Sequence, residues 1–318
     1  MQSARPKINL VYIASTGRTG STLLEMLLNA HSQVVNSGEI HVLPRELNPD
    51  TVHQVCGCGD SVLESDFWQA VCERTNPLAQ PAPQTHYFKG KGTSGKLFRK
   101  EMKLLDSANV PDELNQQVQT YAQNSYAVLD AFLQVVEQRQ GSRPQWVVDS
   151  SKDPYRLLWL LHSGLFNIKV IHSIRDPRSL VYSTSKKFFK AENAERDYLW
   201  FTQHAVRLSF SWLIRNNPIH KAANQYLSAN DYTIVPYEQL ALHPEETLKH
   251  VFSIIGCDYE PEIFDIFWDL EVHAIAGNAM RFRKAPITLD EKWRSIIPSF
   301  HQQLTKTLTT TGRIRYGY

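Results

Sequence analysis

The sequence predicts an α/β protein: a three-layer sandwich with one central, mostly parallel sheet and irregular and helical insertions. Three observations predict it. Short apolar runs rich in branched residues alternate with segments whose apolar residues recur at helical spacing, the order that builds a parallel sheet covered on both faces. The first run ends in a tight turn that opens directly into a helix. The chain has 318 residues, 42% of them hydrophobic, enough for a substantial buried core. No internal repeat or low-complexity segment appears, so 1–318 reads as one domain.

The elements follow in order. Ile8 to Ala14 reads as a buried strand, and Leu23, Leu24, Leu27 and Leu28 place a helix from Ser21 onward. Val42 to Gly95 is the least regular stretch, with Phe67-Trp68 anchoring a short helix. Pro111 to Gln140 reads as a long helix. Gln145 to Asp149 is the second strand, Pro154 to His162 a helix, and Ile168 to Ile174 the third strand. Pro177 suits a first helical position and opens a helix toward Lys187. Ala194 to Asn216 is helical and Tyr232 to Pro236 is the fourth strand. Pro244 to Ile255 is a helix stopped by Gly256. Leu289 to Leu308 is helical with a break near Pro298.

Charge and cysteine content narrow the function classes. The 34 basic and 32 acidic residues leave a net charge of +2, unlike a general nucleic-acid binder with its strong basic excess. Cys56, Cys58, Cys72 and Cys257 are too few for a secreted disulfide scaffold. Cys56, Cys58 and Cys72 could recruit His53 to a metal, but reduced thiols in a loop-rich stretch is the simpler expectation, and no metal site is predicted. No apolar run approaches the roughly 20 residues that span a bilayer. The first strand begins almost at once, with no signal-peptide pattern before it. The expectation is a cytoplasmic protein without membrane or nucleic-acid partners.

The turn after the first strand, Ser15-Thr-Gly-Arg-Thr-Gly-Ser-Thr22, carries the chemistry. A helix N-terminus offers unpaired N–H groups and partial positive charge. Gly17 and Gly20 let the backbone curl around an anion. Thr19, Ser21 and Thr22 add hydroxyls, and Arg18 adds a planar cation matched to phosphate or sulfate. The pattern is not a nucleoside-triphosphate loop, which needs Gly-Lys-Ser/Thr at its end. An ordinary turn with an exposed Arg is the competing reading.

Arg-Thr-Gly-Ser-Thr after a strand resembles the 5′-phosphosulfate loop of sulfotransferases that use PAPS (3′-phosphoadenosine 5′-phosphosulfate). It most resembles the carbohydrate and tyrosylprotein branch, where Arg replaces the Lys of the cytosolic branch. The resemblance implies a P-loop nucleotide-binding type of fold. It runs from about Ile8 to the C-terminus and is weakest from Val42 to Leu105. There Cys56-Gly-Cys58-Gly is similar to relatives, but Ser65-Asp66 stands where a Cys would be expected before Phe67-Trp68. The region 42–140 is the expected contributor to acceptor binding.

The same resemblance assigns further residues. Arg175 at the third strand's end and Ser183 eight residues later match the pair that holds the 3′-phosphate, and strand ends are where open sheets bind ligands. A salt bridge from Arg175 to Asp176 or another acid, with Ser183 an ordinary helix residue, is the alternative. Arg283 and Lys284, followed by Trp293, resemble the element that closes over the 3′-phosphate. Lys152 in Lys-Asp-Pro maps onto a catalytic Lys. Glu39 maps onto the base, with His41 a rival whose imidazole suits proton transfer near neutrality. Tyr237-Glu-Gln-Leu240 looks like a structural segment without a chemical role.

The implied reaction is sulfuryl transfer from PAPS to a hydroxyl or amine of an acceptor, releasing PAP; the expected cytoplasmic address favours a small metabolite over a protein tyrosine or glycan, and side-chain cations leave no metal required. Glu39 takes the proton, and Arg18 and Lys152 stabilise the charge that grows in the transition state. Two alternatives stand beside it. One is a P-loop kinase or NTPase using ATP and Mg²⁺, with Asp149 as the strand-end acid. The other is a non-catalytic nucleotide-binding protein that keeps the fold.

Overall fold

The computed structural model describes residues 5–50, 55–75, 95–186, 189 and 198–318. Five strands, β1 (Ile8–Ser15), β2 (Val34–Asn36), β3 (Trp146–Lys152), β4 (Phe166–Ile174) and β5 (Tyr232–Pro236), form one sheet ordered β2-β3-β1-β4-β5, with every neighbouring pair parallel. Parallel neighbours need crossovers, and helices supply them. α1 (Ser21–Asn29) joins β1 to β2. The segment from β2 to β3 carries α2 (Leu43–Glu46), α3 (Asp66–Thr75), α4 (Gly95–Leu105) and α5 (Asp112–Gln140). α6 (Pro154–Ser163) joins β3 to β4. α7 (Pro177–Thr184) and the long helix Tyr198–Tyr226 lie between β4 and β5.

The period-2 alternation of β1 builds two cores. Leu10, Tyr12 and Ala14 face Leu129 and Phe132 of α5 and Leu157 of α6. Val11 and Ile13 face Leu24 and Leu27 of α1 and Val251 and Phe252 of the helix Pro244–Ile255. Each large aliphatic side chain buried there stabilises the fold by about 1.5–3 kcal/mol. Because β1 is central, the turn that follows it is held from both layers.

The strands expected from sequence are present, each within two or three residues of its expected ends. Gly256 ends its helix in the left-handed conformation, φ 76°, as expected. Three features differ. β2 is an edge strand of three residues, too short for any alternation to register. The helix Tyr198–Tyr226 continues through Pro218 instead of stopping at Asn216, with Pro218 buried on its inner side. Residues 289–292 are not helical, and the helical turns there are Trp293–Ile296 and Ser299–Leu308, on either side of the expected break. The expected helix limits Lys187 and Ala194 lie outside the described residues, as does His53. Among the described residues, no helix is long and apolar enough to cross a membrane.

Candidate active site

All five strands release the chain at one rim, and a cavity of about 970 Å³ opens there. Its lining includes Thr16, Gly17, Arg18, Gly20, Ser21 and Thr22 after β1, and Glu39 and His41 after β2. Lys152 and Asp153 come from β3, Arg175 and Ser183 from the end of β4 and α7, and Tyr237 from β5. A parallel sheet places every strand's C-terminal end on the same side, which is why residues so far apart in sequence meet.

The turn after β1 is shaped as a cradle. Gly20 at the α1 N-cap takes φ 79°, and a Cβ there would sit 2.6 Å from the Tyr237 ring, so glycine lets that ring close over the turn. No side chain caps α1, and its first internal bond runs from the Leu24 N–H to the Gly20 carbonyl at 3.0 Å. The amides before Leu24 therefore have no acceptor within the helix, and the α1 N-terminus faces the cavity. Arg18 is exposed, with φ 59°, and lines the same cavity. Thr19 departs from expectation. It is fully buried and does not line the cavity, because its hydroxyl accepts from Ser173 Oγ at 3.0 Å. Its role is to anchor the turn to β4.

Arg175 comes to the cradle from β4. Its Nη1 donates to the Arg18 carbonyl at 3.2 Å and its Nη2 to the Asp290 carbonyl at 3.3 Å. Its guanidinium carbon lies 4.1 Å from the centre of the Tyr237 ring, a cation–π stack. The alternative salt bridge to Asp176 does not form: Asp176 caps α7 and pairs with Arg178 at 2.6 Å. Among the described residues no carboxylate lies within ion-pair distance of Arg175, and its Nε is buried without a partner. The side chain is thus a nearly buried cation, held by two carbonyls and without a direct ion pair, lining the cavity that Ser183 also lines.

Glu39 and Lys152 form the second half of the site. Lys152 Nζ donates to Glu39 Oε1 at 2.5 Å. The β1–β3 register shifts between the pairs Tyr12↔Asp149 and Ala14↔Lys152, and Lys152 adopts φ 66°. That irregularity turns the Lys152 side chain to the rim, a strained conformation of the kind that gathers at functional sites. Glu39 is held by its backbone: its N–H donates to the Ile275 carbonyl at 2.8 Å, while the Ile275 N–H donates to the Ser37 carbonyl at 3.1 Å. The wall continues to Asn278, whose N–H donates to Thr22 Oγ1 at 3.2 Å. His41 also lines the cavity, and its N–H donates to Ser151 Oγ at 3.3 Å.

Two acids beside this site are tuned by burial. Glu25, on the buried side of α1, has its carboxyl pushed up by desolvation against the pull of Lys152 and a Ser150 hydroxyl. Asp153, the N-cap of α6, is pushed up to about 6 by burial, against the amides of Arg156 and Tyr155 and the charge of Arg215.

Other expected residues lie elsewhere. Arg283 and Lys284 do not line the cavity, and Lys284 is an exposed ion pair with Asp269. A run of basic residues has no period to tell which way its side chains point. Asp149 is sealed at 0% exposure against Arg156, with contacts of 2.7 and 2.8 Å, and its other oxygen accepts from the Ser151 N–H. Sequence reasoning missed Tyr237, Lys186 and Arg215, all of which line the cavity. Lys186 follows Ser183 by three residues, just past the end of α7, and a helix expected to run toward Lys187 would place both on one face. Arg215 lies mid-helix in Tyr198–Tyr226, where nothing in the sequence marks it.

The sequence and fold were compared with known proteins. The family model described as "Sulfotransferase family" matches residues 11–261. Protein-tyrosine sulfotransferase 2 of Gallus gallus is 23% identical over 260 residues, covering 80% of this chain and 53% of the relative, so the chain spans about half the length of that curated relative. The sulfotransferase domain of the Synechococcus PCC 7002 olefin synthase aligns with TM-score 0.54 and 21% identity, over 98% of this chain and 97% of that one. The sulfotransferase domain from the curacin biosynthetic pathway aligns with TM-score 0.51 and 19% identity, over 96% of this chain and 99% of that one.

Proposed function

This chain belongs to the sulfotransferase family, and from that premise we propose that it transfers a sulfuryl group from PAPS to a hydroxyl or amine of a small acceptor, releasing PAP. The observation that carries the donor is Arg175: a nearly buried cation that makes no direct ion pair among the described residues, tethered to the Arg18 carbonyl beside an uncapped helix N-terminus. A ligand with anionic groups at both ends answers both features. The cradle with Arg18, Gly20, Ser21 and Thr22 takes the 5′-phosphosulfate, and Arg175 with Ser183 takes the 3′-phosphate. Tyr237 and Lys186 add the face and second cation that the sequence did not reveal.

The acceptor's proton passes to Glu39. As the sulfuryl group moves, negative charge grows on the leaving phosphate oxygen and on the equatorial oxygens, and Arg18 and Lys152 are the cations placed to stabilise it. His41 stands at the same wall as a second proton acceptor. A small acceptor fits a cavity of about 970 Å³, within the range of small-ligand sites. Four free cysteines suit a reducing, cytoplasmic setting. Residues 1–318 are read as one catalytic domain whose 42–140 segment shapes the acceptor side.

The kinase or NTPase reading loses its metal acid, since Asp149 is buried in an ion pair with Arg156 and does not line this cavity. Thermal melting separates the two. PAP alone raises the melting temperature on this account, through ligand linkage. Stabilisation by ATP with Mg²⁺ and none by PAP overturns the donor assignment. Incubation with labelled PAPS and cell extract then separates an enzyme from a nucleotide-binding protein without activity, because only the former yields a labelled product.

A further inference from the structure

We propose that Cys56, Cys58 and His273 form a binding site for a thiophilic divalent cation of the zinc class, which staples the turn 56–60 to the strand-like segment 272–275. One ligand atom from each of the three residues lies within 4.8 Å of the others. Tetrahedral zinc, with bonds of about 2.0–2.3 Å to nitrogen and sulfur, holds such ligand atoms about 3.5–3.8 Å apart. Closure of about an ångström completes the set, within the reach of side-chain rotation.

His273 is already oriented for the task. Its ring stacks on Phe67, with centroids 4.1 Å apart and planes 8° from parallel, and its carbonyl accepts from Trp68 Nε1 at 3.1 Å. Nε2 lies 3.5 Å from Glu271 Oε1, while Nδ1 is buried with no hydrogen-bond partner. With the proton on Nε2, the nitrogen nearer Glu271, the Nδ1 lone pair is left for a metal. Glu271 stands where a carboxylate can orient a metal-binding histidine once the side chain closes on it. Asp60 Oδ2 lies 3.9 Å from Cys58 Sγ but outside the mutual 4.8 Å grouping, so the fourth ligand is a water molecule.

Both thiols are free, Cys56 buried and Cys58 half-buried, and on binding a divalent cation each coordinating thiol releases its proton to solvent. The turn is docked before any metal binds. The Gly57 N–H donates to the Ala274 carbonyl at 3.0 Å, and a Cβ on Gly57 would sit 2.2 Å from the Val272 carbonyl oxygen. Segment 272–275 leads into Ile275, whose carbonyl holds the Glu39 amide, so the cation braces the wall of the transfer cavity without entering it. This departs from the expectation of plain reduced thiols and no metal site.

The test uses the full chain. Protein loaded with excess Zn²⁺ and desalted is expected to retain one zinc per chain by elemental analysis. Cys58→Ser and His273→Ala should each abolish retention, while Cys72→Ser and Cys257→Ser keep it. Glu271→Gln should weaken zinc affinity by about tenfold, the usual cost of losing an outer-shell partner. A measurement on the unaltered protein guards against variants that fail to fold. Zn²⁺ should slow alkylation of Cys58 by at least about tenfold and leave Cys72 unaffected, and a chelator should restore the rate. Zinc far below one per chain, alkylation indifferent to Zn²⁺, or a Cys56–Cys58 disulfide in the purified protein would each overturn the proposal.

Discussion

Lys152 Nζ lies 2.5 Å from Glu39 Oε1, joining the end of one strand to the loop after its neighbour across 113 residues of sequence. The contact holds the proposed base and a proposed charge stabiliser at one point on the cavity rim. It follows from topology: β2 and β3 are parallel neighbours, so both release their chains on the same side.

Glu39→Gln removes the proton acceptor and keeps the side chain's shape. Turnover is expected to fall by about 10² to 10⁴, the range for loss of a general base, with PAP affinity unchanged. Steady-state kinetics and PAP titration check both parts. Near-normal turnover would remove Glu39 from the mechanism and shift attention to His41.

Gly38→Ala tests how the wall positions Glu39. Gly38 has φ 74°, and an added Cβ would lie 2.3 Å from the Ile275 carbonyl oxygen and 2.5 Å from the Ile275 nitrogen, both backbone atoms. Strain and clash together should cost at least about 2 kcal/mol. Chemical denaturation reads that loss. The fraction that folds should turn over more slowly, because the Glu39 amide loses its seat on Ile275.

Asp153 makes stability depend on pH with a definite sign. Its folded pKa is raised from 3.8 to about 6 by burial, so between those values the folded state binds more protons than the unfolded one. Stability from this group is therefore present below pH 3.8 and lost as pH rises toward 6. Asp153→Asn keeps a residue able to cap α6 and removes the titration. Denaturation of both proteins across that window should show the wild type losing stability relative to the variant as pH rises. A constant difference would contradict the assignment.

Much of this was legible in the sequence, for local reasons. β1 and its turn announce themselves by a dense apolar run ending in Gly-Arg-Thr-Gly, and Arg175 by its place after a strand. The rest depends on side-chain direction and long-range packing. Thr19 reads like Ser21 and Thr22 but is buried against Ser173, a contact with β4 that only the fold creates. Arg283 and Lys284 carry the right charge and do not face the cavity. Tyr237 looked structural because only the fold brings β5 beside β4 and lays its ring on Gly20 and Arg175. The grouping of His273 with Cys56 and Cys58 spans more than 200 residues, which no spacing rule reaches.

The central claim is that the α1 cradle and Arg175 grip opposite ends of one nucleotide. Calorimetric titration of wild type and Arg175→Ala with PAP and with 5′-AMP, which lacks the 3′-phosphate, tests it most directly. The account predicts that the variant loses about tenfold or more in PAP affinity, as for one charge-assisted contact, while its 5′-AMP affinity stays at the wild-type value. Equal losses for both ligands, or no loss for either, would contradict it.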